Sequence, residues 1–263
     1  MWAVAIVLVA VLLSLGPADE FEQLERAWVV LLTASLTIVL ITTGARGYAA
    51  SSLQAVAGAG GAAGILMVIT HLTWGKVAGL VEHHYFLLAR TLVDLVAPVG
   101  NPAREAINLS LLGGIRVLSG LLPGLVLLQS LAALALAWAL YHRIARQPRS
   151  EPLGPLAGFR FNDHLIWGVA LSLLVVLLPR LGWARPLGGN LLVFFGGLYL
   201  VRGVAVLAAV AAAVGFTGLL ASVIVLFVTA FLMPVVALAA LALGLSDTLV
   251  DWRLRLARAV TKT

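Results

Sequence analysis

Cysteine is absent from this sequence of 263 residues, and charged residues make up only 11% of it. Without cysteine the chain can form no disulfide, no thiol nucleophile and no cysteine-ligated metal or iron–sulfur site. About a quarter of the residues of a soluble domain are charged, so a surface this poor in charge could not stay hydrated as a monomer. These two deficits exclude a disulfide scaffold and an ordinary soluble domain.

The motifs of common enzymes are missing as well. The glycine cluster at 58–64 lacks the Lys-Ser/Thr pair of a phosphate-binding loop, and no Gly-x-Ser-x-Gly elbow or pair of acids lies within an apolar run. Glu82, His83 and His84 are the most metal-like group, but adjacent histidines on a helix point about 100° apart. We therefore expect no catalytic residue, no metal, no cofactor and no enzymatic activity.

Hydrophobic residues, in contrast, make up 62% of the chain. They form continuous Leu/Val/Ala blocks of roughly 20 residues, the length that crosses about 30 Å of hydrocarbon as a helix. Transmembrane barrels would instead show short alternating strands. The sequence predicts an all-α, polytopic transmembrane bundle of about seven spans, embedded in the lipid bilayer: Val4–Leu15, Ala27–Thr43, Ser52–Trp74, Leu121–Tyr141, His164–Leu178, Asn190–Ala212 and Thr217–Leu243, the last kinked at Pro234.

The N-terminal stretch Met1–Leu15 lacks the positively charged start of a signal peptide, so we expect it to be retained as the first span. Cleavage and a peripheral position are the alternatives. Residues 76–118 mix apolar and charged residues and predict two amphipathic helices at the interface, Lys76–Val99 and Ala103–Leu118. Asn101 is expected to cap the second of these helices, with Pro102 in its first turn.

The organisation predicted is an N-terminal membrane half (1–143), a basic cytoplasmic loop (144–160) and a C-terminal membrane half with a basic tail (161–263). Arg143, Arg146 and Arg149 favour a cytoplasmic loop, because basic residues resist translocation. Three spans after that loop would place the basic tail outside, against the same rule, unless one late segment fails to cross. The formal charge of +6 fits this topology, and no block of basic and aromatic residues suggests nucleic acid.

Small residues mark one candidate helix-packing surface, in the third predicted span. Gly58, Gly60, Gly61 and Gly64 would let a neighbouring helix backbone approach closely. A glycine-lined substrate path is the alternative interpretation.

Arg202 is the one charge well inside an apolar run. An arginine in hydrocarbon costs at least about 2.5–3.5 kcal/mol unless it finds a partner or water. It either pairs with a structural partner or holds an anionic ligand, a lipid or another protein. Asn190 and Tyr199 are the nearest polar candidates on the same helix.

From the middle loop onward, over about residues 155–258, the chain resembles the YybS-like family of uncharacterised polytopic bacterial membrane proteins. The residues that carry the resemblance are Gly158-Phe159-Arg160-Phe161, Leu165-Ile166-Trp167, Asn190-Leu191-Leu192, Gly197-Leu198-Tyr199, Arg202-Gly203-Val204-Ala205-Val206, Leu243-Gly244-Leu245-Ser246-Asp247-Thr248 and Asp251-Trp252-Arg253. The chain departs from the family pattern at Asn162-Asp163-His164, where Leu-Pro is usual, and at Arg202, where Gln is usual.

The resemblance implies a multi-pass protein of the bacterial cytoplasmic (inner) membrane with no assigned reaction. The family's layout is similar to that of the small-molecule-binding membrane subunits of energy-coupling-factor importers. Ser246 or Asp247 is expected to cap a short helix, in which Asp247, Asp251 and Arg253 form either a capped interfacial end or a docking surface. The function expected is a non-catalytic small-molecule-binding or transport-related subunit that works with other membrane subunits. An accessory subunit that stabilises a larger membrane complex is the alternative.

Overall fold

The computed structural model of the chain describes residues 18–43, 47–98, 101–145, 150–213, 215 and 218–255, with only the backbone described for 219–231. Within these residues the regular structure is α-helix with short 3₁₀ turns, and no strand occurs. The all-helical fold predicted from the sequence is confirmed. The predicted span Val4–Leu15, together with Arg46, Arg146 and Arg149, lies outside the described residues, as does the tail after Arg255.

The chain divides into two compact units, Met1–Pro152 and Leu153–Thr263. The first unit contains four described helices: α1 (Glu20–Thr43), α2 (Tyr48–Ile69), α3 (Trp74–Val96) and α4 (Arg104–Ile144). The second contains α5 (Ile166–Leu177), α6 (Arg185–Ala213) and α7 (Leu219–Val250), with 3₁₀ turns at Leu156–Gly158, Asp163–Leu165 and Pro179–Ala184. A single helical turn, 252–255, follows α7.

Five of the described helices are long and apolar enough to cross a membrane: Glu20–Thr42, Tyr48–Ile69, Arg104–Ile144, Pro179–Ala213 and Leu232–Val250. Several membrane crossings are therefore present, but the expected count of about seven is not confirmed. One predicted span lies outside the described residues. Another, His164–Leu178, corresponds to α5, whose 12 residues reach about 18 Å and fall short of the hydrocarbon thickness.

The first unit packs around α2. Leu32, Ala55, Val56, Ala59 and Leu134 form one buried apolar group shared by α1, α2 and α4. Two long-range hydrogen bonds fix the same helices: the Trp28 indole donates to Ser130 Oγ at 2.8 Å, and the Tyr48 hydroxyl donates to the Leu131 carbonyl at 2.5 Å. Membrane helices gain little from hydrophobicity alone, so such polar links and close packing hold them together.

Of the two amphipathic helices expected over 76–118, only the first is a separate helix in the structure. The first is α3, whose buried face carries Val77, Val81, Ala89 and Val93. The second, predicted as Ala103–Leu118, is the first part of the continuous 41-residue helix α4, which also contains Pro123. The boundary expected between this amphipathic helix and the span Leu121–Tyr141 is therefore absent. Membrane helices tolerate an internal proline where neighbouring groups satisfy the freed carbonyl.

The expected cap at Asn101 is also wrong. Helix α4 begins at Arg104, and the Asn101 side chain accepts a 2.9 Å hydrogen bond from the amide of Ala103. This closes a turn before the helix, in the manner of asparagine side chains that bond to backbone two residues on.

Helix α7 differs from its prediction at its C-terminal end. The expected kink is present, since Leu232 has φ −112° and ψ 24°, two residues before Pro234. The helix then continues to Val250 instead of ending near Leu243, so Ser246 and Asp247 lie inside its last turns and cap no separate helix. The helix ends at Asp251, which adopts the left-handed conformation (φ 48°) that aspartate tolerates better than most residues.

Candidate functional site

Helices α6 and α7 touch backbone to backbone at two glycines. A Cβ added at Gly203 would overlap the carbonyl oxygen of Ala240, and one added at Gly244 would overlap the carbonyl oxygen of Tyr199. At each glycine, the backbone of the opposite helix therefore occupies the space that a side chain would need. Small residues allow this closeness between membrane helices, and it sets the register of the polar residues that follow.

The register places Arg202 beside Asp247, one turn after Gly244. Arg202 Nε donates to Asp247 Oδ2 at 2.9 Å, and Arg202 Nη1 donates to Asp163 Oδ1 at 2.6 Å. The side chains of Arg202 and Asp247 are 3% and 0% exposed, whereas that of Asp163 is 63% exposed. Two carboxylates thus offset most of the cost of burying this arginine.

Arg253, just after the end of α7, reaches back to the same carboxylate. Its Nη2 donates to Asp247 Oδ2 at 2.7 Å. Its Nη1 donates to the carbonyls of Phe159 at 2.8 Å and Ala157 at 3.2 Å, which ties the segment before α5 to the end of α7. We call Asp163, Arg202, Asp247 and Arg253 the charge cluster.

Aromatic rings cover the charge cluster on one side. The Phe161 ring centroid lies 5.3 Å from Arg202 Cζ and 5.1 Å from the centroid of the buried Tyr199 ring, edge to face. A guanidinium over an aromatic face is attracted by the ring, most strongly where water is excluded. The ring therefore helps to hold Arg202 in place.

The charge cluster is electrically balanced, with two arginines and two aspartates. Within the described residues, only Asp247 Oδ1 and Arg253 Nε among its buried polar atoms lack a hydrogen-bond partner. Arg202 directs Nε and Nη1 at carboxylates of the chain itself, and its side chain is only 3% exposed. This arrangement is that of a structural network, and it offers little to an external anion.

The structure brings together four of the six residues singled out from the sequence in this half: Tyr199, Arg202, Asp247 and Arg253. Asp251 pairs with Arg160 beside them. Asn190 is not part of the group, because it lies 12 residues before Arg202 on α6, about 18 Å along the helix, and donates to the Pro186 carbonyl at 2.8 Å.

Sequence reasoning missed Asp163 and Phe161 as members of this site. The sequence did contain a signal for Asp163. The chain departs from the family pattern that it resembles at two places, and these are the segment Asn162-Asp163-His164 and the residue Arg202. The structure shows that Asp163 and Arg202 are the two ends of one ion pair.

The glycines expected to pack helices in the first unit behave differently from one another. A Cβ added at Gly58 would overlap the hydroxyl of Ser35, so α1 approaches α2 closely there. A Cβ at Gly60, Gly61 or Gly64 would meet no described atom within 4 Å. The close approach expected at these three positions is not formed within the part of the chain that the structure describes.

A second candidate site lies in the first unit, where α3 and α4 line two adjoining cavities that are open to the surface and share Phe86 and Leu112. The larger has a volume of about 330 Å³ and the smaller about 280 Å³. The larger is lined by Phe86, Ala89, Arg90, Arg104, Asn108, Leu111, Leu112 and Ile115, and the smaller adds Gly79, Glu82 and His83. We call this pair of cavities the α3–α4 groove.

The polar end of the α3–α4 groove is built on Arg104. Its Nη1 donates to the Ala97 carbonyl at 2.9 Å, and its Nη2 forms an ion pair with Asp94. Glu82, at the other end of the groove, lies 3.8 Å from Arg116. Glu82 and His83 are not joined by a third acid or histidine among the described residues, so they do not form a metal site of the usual kind. The sequence had suggested Glu82, His83 and His84 as a metal-like group, and otherwise these side chains were interpreted as the polar face of amphipathic helices.

Comparison with known proteins yields one match. Residues 1–248 match the model of a family described as "Predicted membrane protein (DUF2232)". The match extends through both units, well beyond the resemblance found over about residues 155–258. No curated protein and no solved structure matches the chain.

Proposed function

The chain belongs to this family of predicted membrane proteins. We propose that it is a non-catalytic, small-molecule-binding or transport-related subunit whose ligand occupies the α3–α4 groove. We place it in the cytoplasmic membrane of a bacterium, on the strength of the YybS-like resemblance of its C-terminal half. The ligand would be amphiphilic, since the larger cavity of the groove is apolar at Phe86, Leu112 and Ile115 and polar at Arg104.

The observation that carries this proposal is the composition of the α3–α4 groove. Ligand sites are typically concavities of about 300–1,000 Å³, mainly apolar, with a few polar groups that fix orientation. The larger cavity, of about 330 Å³, lies at the lower limit of that range, and the smaller adjoins it. Phe86, Leu112 and Ile115 provide apolar contact area, while Arg90, Arg104 and Asn108 provide hydrogen-bond donors.

The non-catalytic part of the proposal is supported by the charge cluster. Its carboxylates and guanidiniums bind one another, and the buried Asp247 accepts hydrogen bonds from two arginines. A carboxylate held in this way is poorly placed to take a proton from a substrate. Among the described residues, a serine and a histidine are hydrogen-bonded to each other, Ser150 Oγ and His142 Nε2 at 3.1 Å, and neither residue belongs to the charge cluster. We assign the charge cluster to the stability of the second unit and not to ligand binding.

The proposal is tested by filling the groove. Leu112→Trp places an indole between the two cavities, whereas Leu109→Trp adds the same group on the same helix at a side chain that is 65% exposed and lines neither cavity. Both variants and the unaltered chain would be purified in mild detergent, and the co-purifying small molecules measured by mass spectrometry. We expect a species that is present with the unaltered chain and Leu109→Trp and is depleted at least about tenfold with Leu112→Trp.

Equal small-molecule content in all three samples would reject ligand binding in the groove. If a protein co-purified in fixed ratio with all three, and no small molecule did, the alternative function of an accessory subunit in a larger membrane complex would replace the proposal.

A further inference from the structure

The α3–α4 groove has a net positive charge at one end. Arg90 and Arg104 both line the larger cavity, and the one carboxylate that pairs with a lining arginine at this end is Asp94, on Arg104. The Arg90 side chain forms no hydrogen bond or ion pair with any residue that the structure describes, although its backbone is part of α3. The three side chains therefore sum to one positive charge, beside an apolar cavity in a chain with few charges.

Arg104 is held in place before any ligand arrives. Two of its five N–H donors are used, one by the Ala97 carbonyl and one by Asp94, which fixes the guanidinium at the mouth of the cavity. Asp94 is four residues after Arg90 on α3 and would be its natural helical partner. Because Asp94 pairs with Arg104, no described carboxylate pairs with the Arg90 guanidinium, and its positive charge is available to a ligand.

Two further features favour an anion at the same place. Asn108 follows Arg104 by one turn on α4 and lines the same cavity, so its amide adds donors. The turn that carries Arg104 is the first of a 41-residue helix, and the positive end of the helix dipole favours negative charge there. Glu105, the acid in this turn, does not line the cavity.

Beyond the polar end, the groove continues as apolar surface. Leu111, Leu112 and Ile115 of α4 face Phe86 and Ala89 of α3, and the smaller cavity extends the groove past Phe86 and Leu112. The smaller cavity also carries Glu82 and His83, so the apolar part is the stretch from Ile115 to Phe86 and Leu112. A molecule that fits the larger cavity therefore has an anionic head and a short apolar body. A free inorganic anion would leave the apolar part empty.

We propose that the α3–α4 groove binds the phosphate of a phosphate-bearing amphiphile, with Arg90, Arg104 and Asn108 on the phosphate and Phe86 and Leu112 against the apolar part. Guanidinium groups match phosphate geometry, and two of them beside an amide suit a group with several acceptor oxygens. This proposal rests on the proposed function. The phosphate belongs either to a membrane phospholipid or to a soluble phosphate ester with a short apolar portion, because both present the same chemistry to the arginines.

The test uses the full chain in detergent and measures dissociation constants by native mass spectrometry. The probes are dihexanoyl phosphatidic acid, dihexanoylglycerol (the same lipid without its phosphate), hexyl phosphate and inorganic phosphate. Arg90→Gln removes the unpaired charge and keeps hydrogen-bonding ability. Arg143→Gln is the matched control, since it removes the same charge from α4 at a position that lines neither cavity.

We expect phosphatidic acid to bind at least about tenfold more tightly than dihexanoylglycerol. Arg90→Gln should weaken the binding of phosphatidic acid by about tenfold or more, while Arg143→Gln leaves it unchanged. Tightest binding of phosphatidic acid would assign the phosphate to a lipid, and tightest binding of hexyl phosphate would assign it to a soluble ester. Either result supports the proposal. Inorganic phosphate should bind most weakly of the phosphate probes.

Three results would overturn it: equal binding of the two lipids, an unchanged affinity in Arg90→Gln, or an equal loss in Arg90→Gln and Arg143→Gln. In each case Leu112→Trp separates this proposal from the proposed function. If that variant still depletes the co-purifying small molecule, the groove binds a ligand of other chemistry, and only the phosphate assignment fails.

Discussion

Arg202 and Asp247 are 45 residues apart in the chain, yet the Nε of one donates a 2.9 Å hydrogen bond to the Oδ2 of the other, and both side chains are buried. The pair forms because Gly203 and Gly244 let α6 and α7 meet at the backbone. The two glycines and the buried ion pair therefore depend on one another. Variants of these residues can distinguish a structural role from ligand binding.

Arg202→Leu should strongly destabilise the protein. It leaves Asp247 and Asp163 without their arginine, and breaking a buried pair by removing one partner costs about 3–5 kcal/mol. Melting temperature in detergent measures this, with Arg143→Leu, in the first unit, as a control that is not a member of the charge cluster. An unchanged melting temperature together with a lost co-purifying ligand would show that Arg202 binds ligand after all.

The two aspartate partners of Arg202 should differ in importance. Asp247→Asn should lower the melting temperature far more than Asp163→Asn, because Asp247 is fully buried between two arginines while Asp163 is 63% exposed. For the exposed partner we expect no more than about 1 kcal/mol. Thermal melts of the two variants, measured side by side, test the ranking, and equal losses would contradict it.

Gly203→Ala and Gly244→Ala should each disrupt the fold, since the added methyl group would overlap a carbonyl oxygen of the opposite helix. Gly60→Ala and Gly64→Ala are the matched controls on α2, where the same methyl group meets nothing within the described residues. The controls should keep or slightly raise the melting temperature, because alanine favours helix by about 1 kcal/mol. Folded protein is quantified by size-exclusion chromatography after a heating series. A loss confined to the controls would refute this assignment of helix contacts.

The orientation of the chain is predicted from its basic residues. Single cysteines at Gln23 and Arg149 can be labelled without competition, since the chain has no cysteine. An impermeant maleimide applied to intact cells should label position 23 and leave position 149 protected, because the arginines of loop 144–160 resist translocation. The reverse pattern would invert the topology.

The sequence was sufficient to predict the helical membrane fold, since runs of apolar residues determine it almost alone. Helix ends were harder to predict. Ser246 and Asp247 have the side chains of helix caps, but Asp247 lies within the last turn of α7, where two arginines satisfy its carboxylate. The helix-capping propensity of a residue depends on its neighbours in the sequence, so it gives no information about Arg202, which lies 45 residues before Asp247.

Glycine shows the same limit. The densest glycine cluster, at 58–64, is conspicuous in the sequence, yet a Cβ at Gly60, Gly61 or Gly64 would meet no atom within 4 Å in the described part of the chain. The isolated Gly203 and Gly244 make the closest backbone contacts of α6 and α7. Composition shows where helices can approach each other, but only the fold shows which faces do so. The α3–α4 groove was missed for a similar reason, because its lining comes from two helices whose pairing the sequence does not display.

The order of Asp163, Arg202 and Asp247 along the chain has a consequence for biosynthesis. Translation proceeds from the N-terminus at about 5–20 residues per second, so Asp247 is made about 2–9 s after Arg202. During that interval Arg202 enters the bilayer without its main partner, whereas Asp163, 39 residues earlier, has already been made. Asp163 can therefore accompany the arginine into the membrane. Asp163→Asn should accordingly lower the amount of protein inserted by more than its small effect on the melting temperature would suggest.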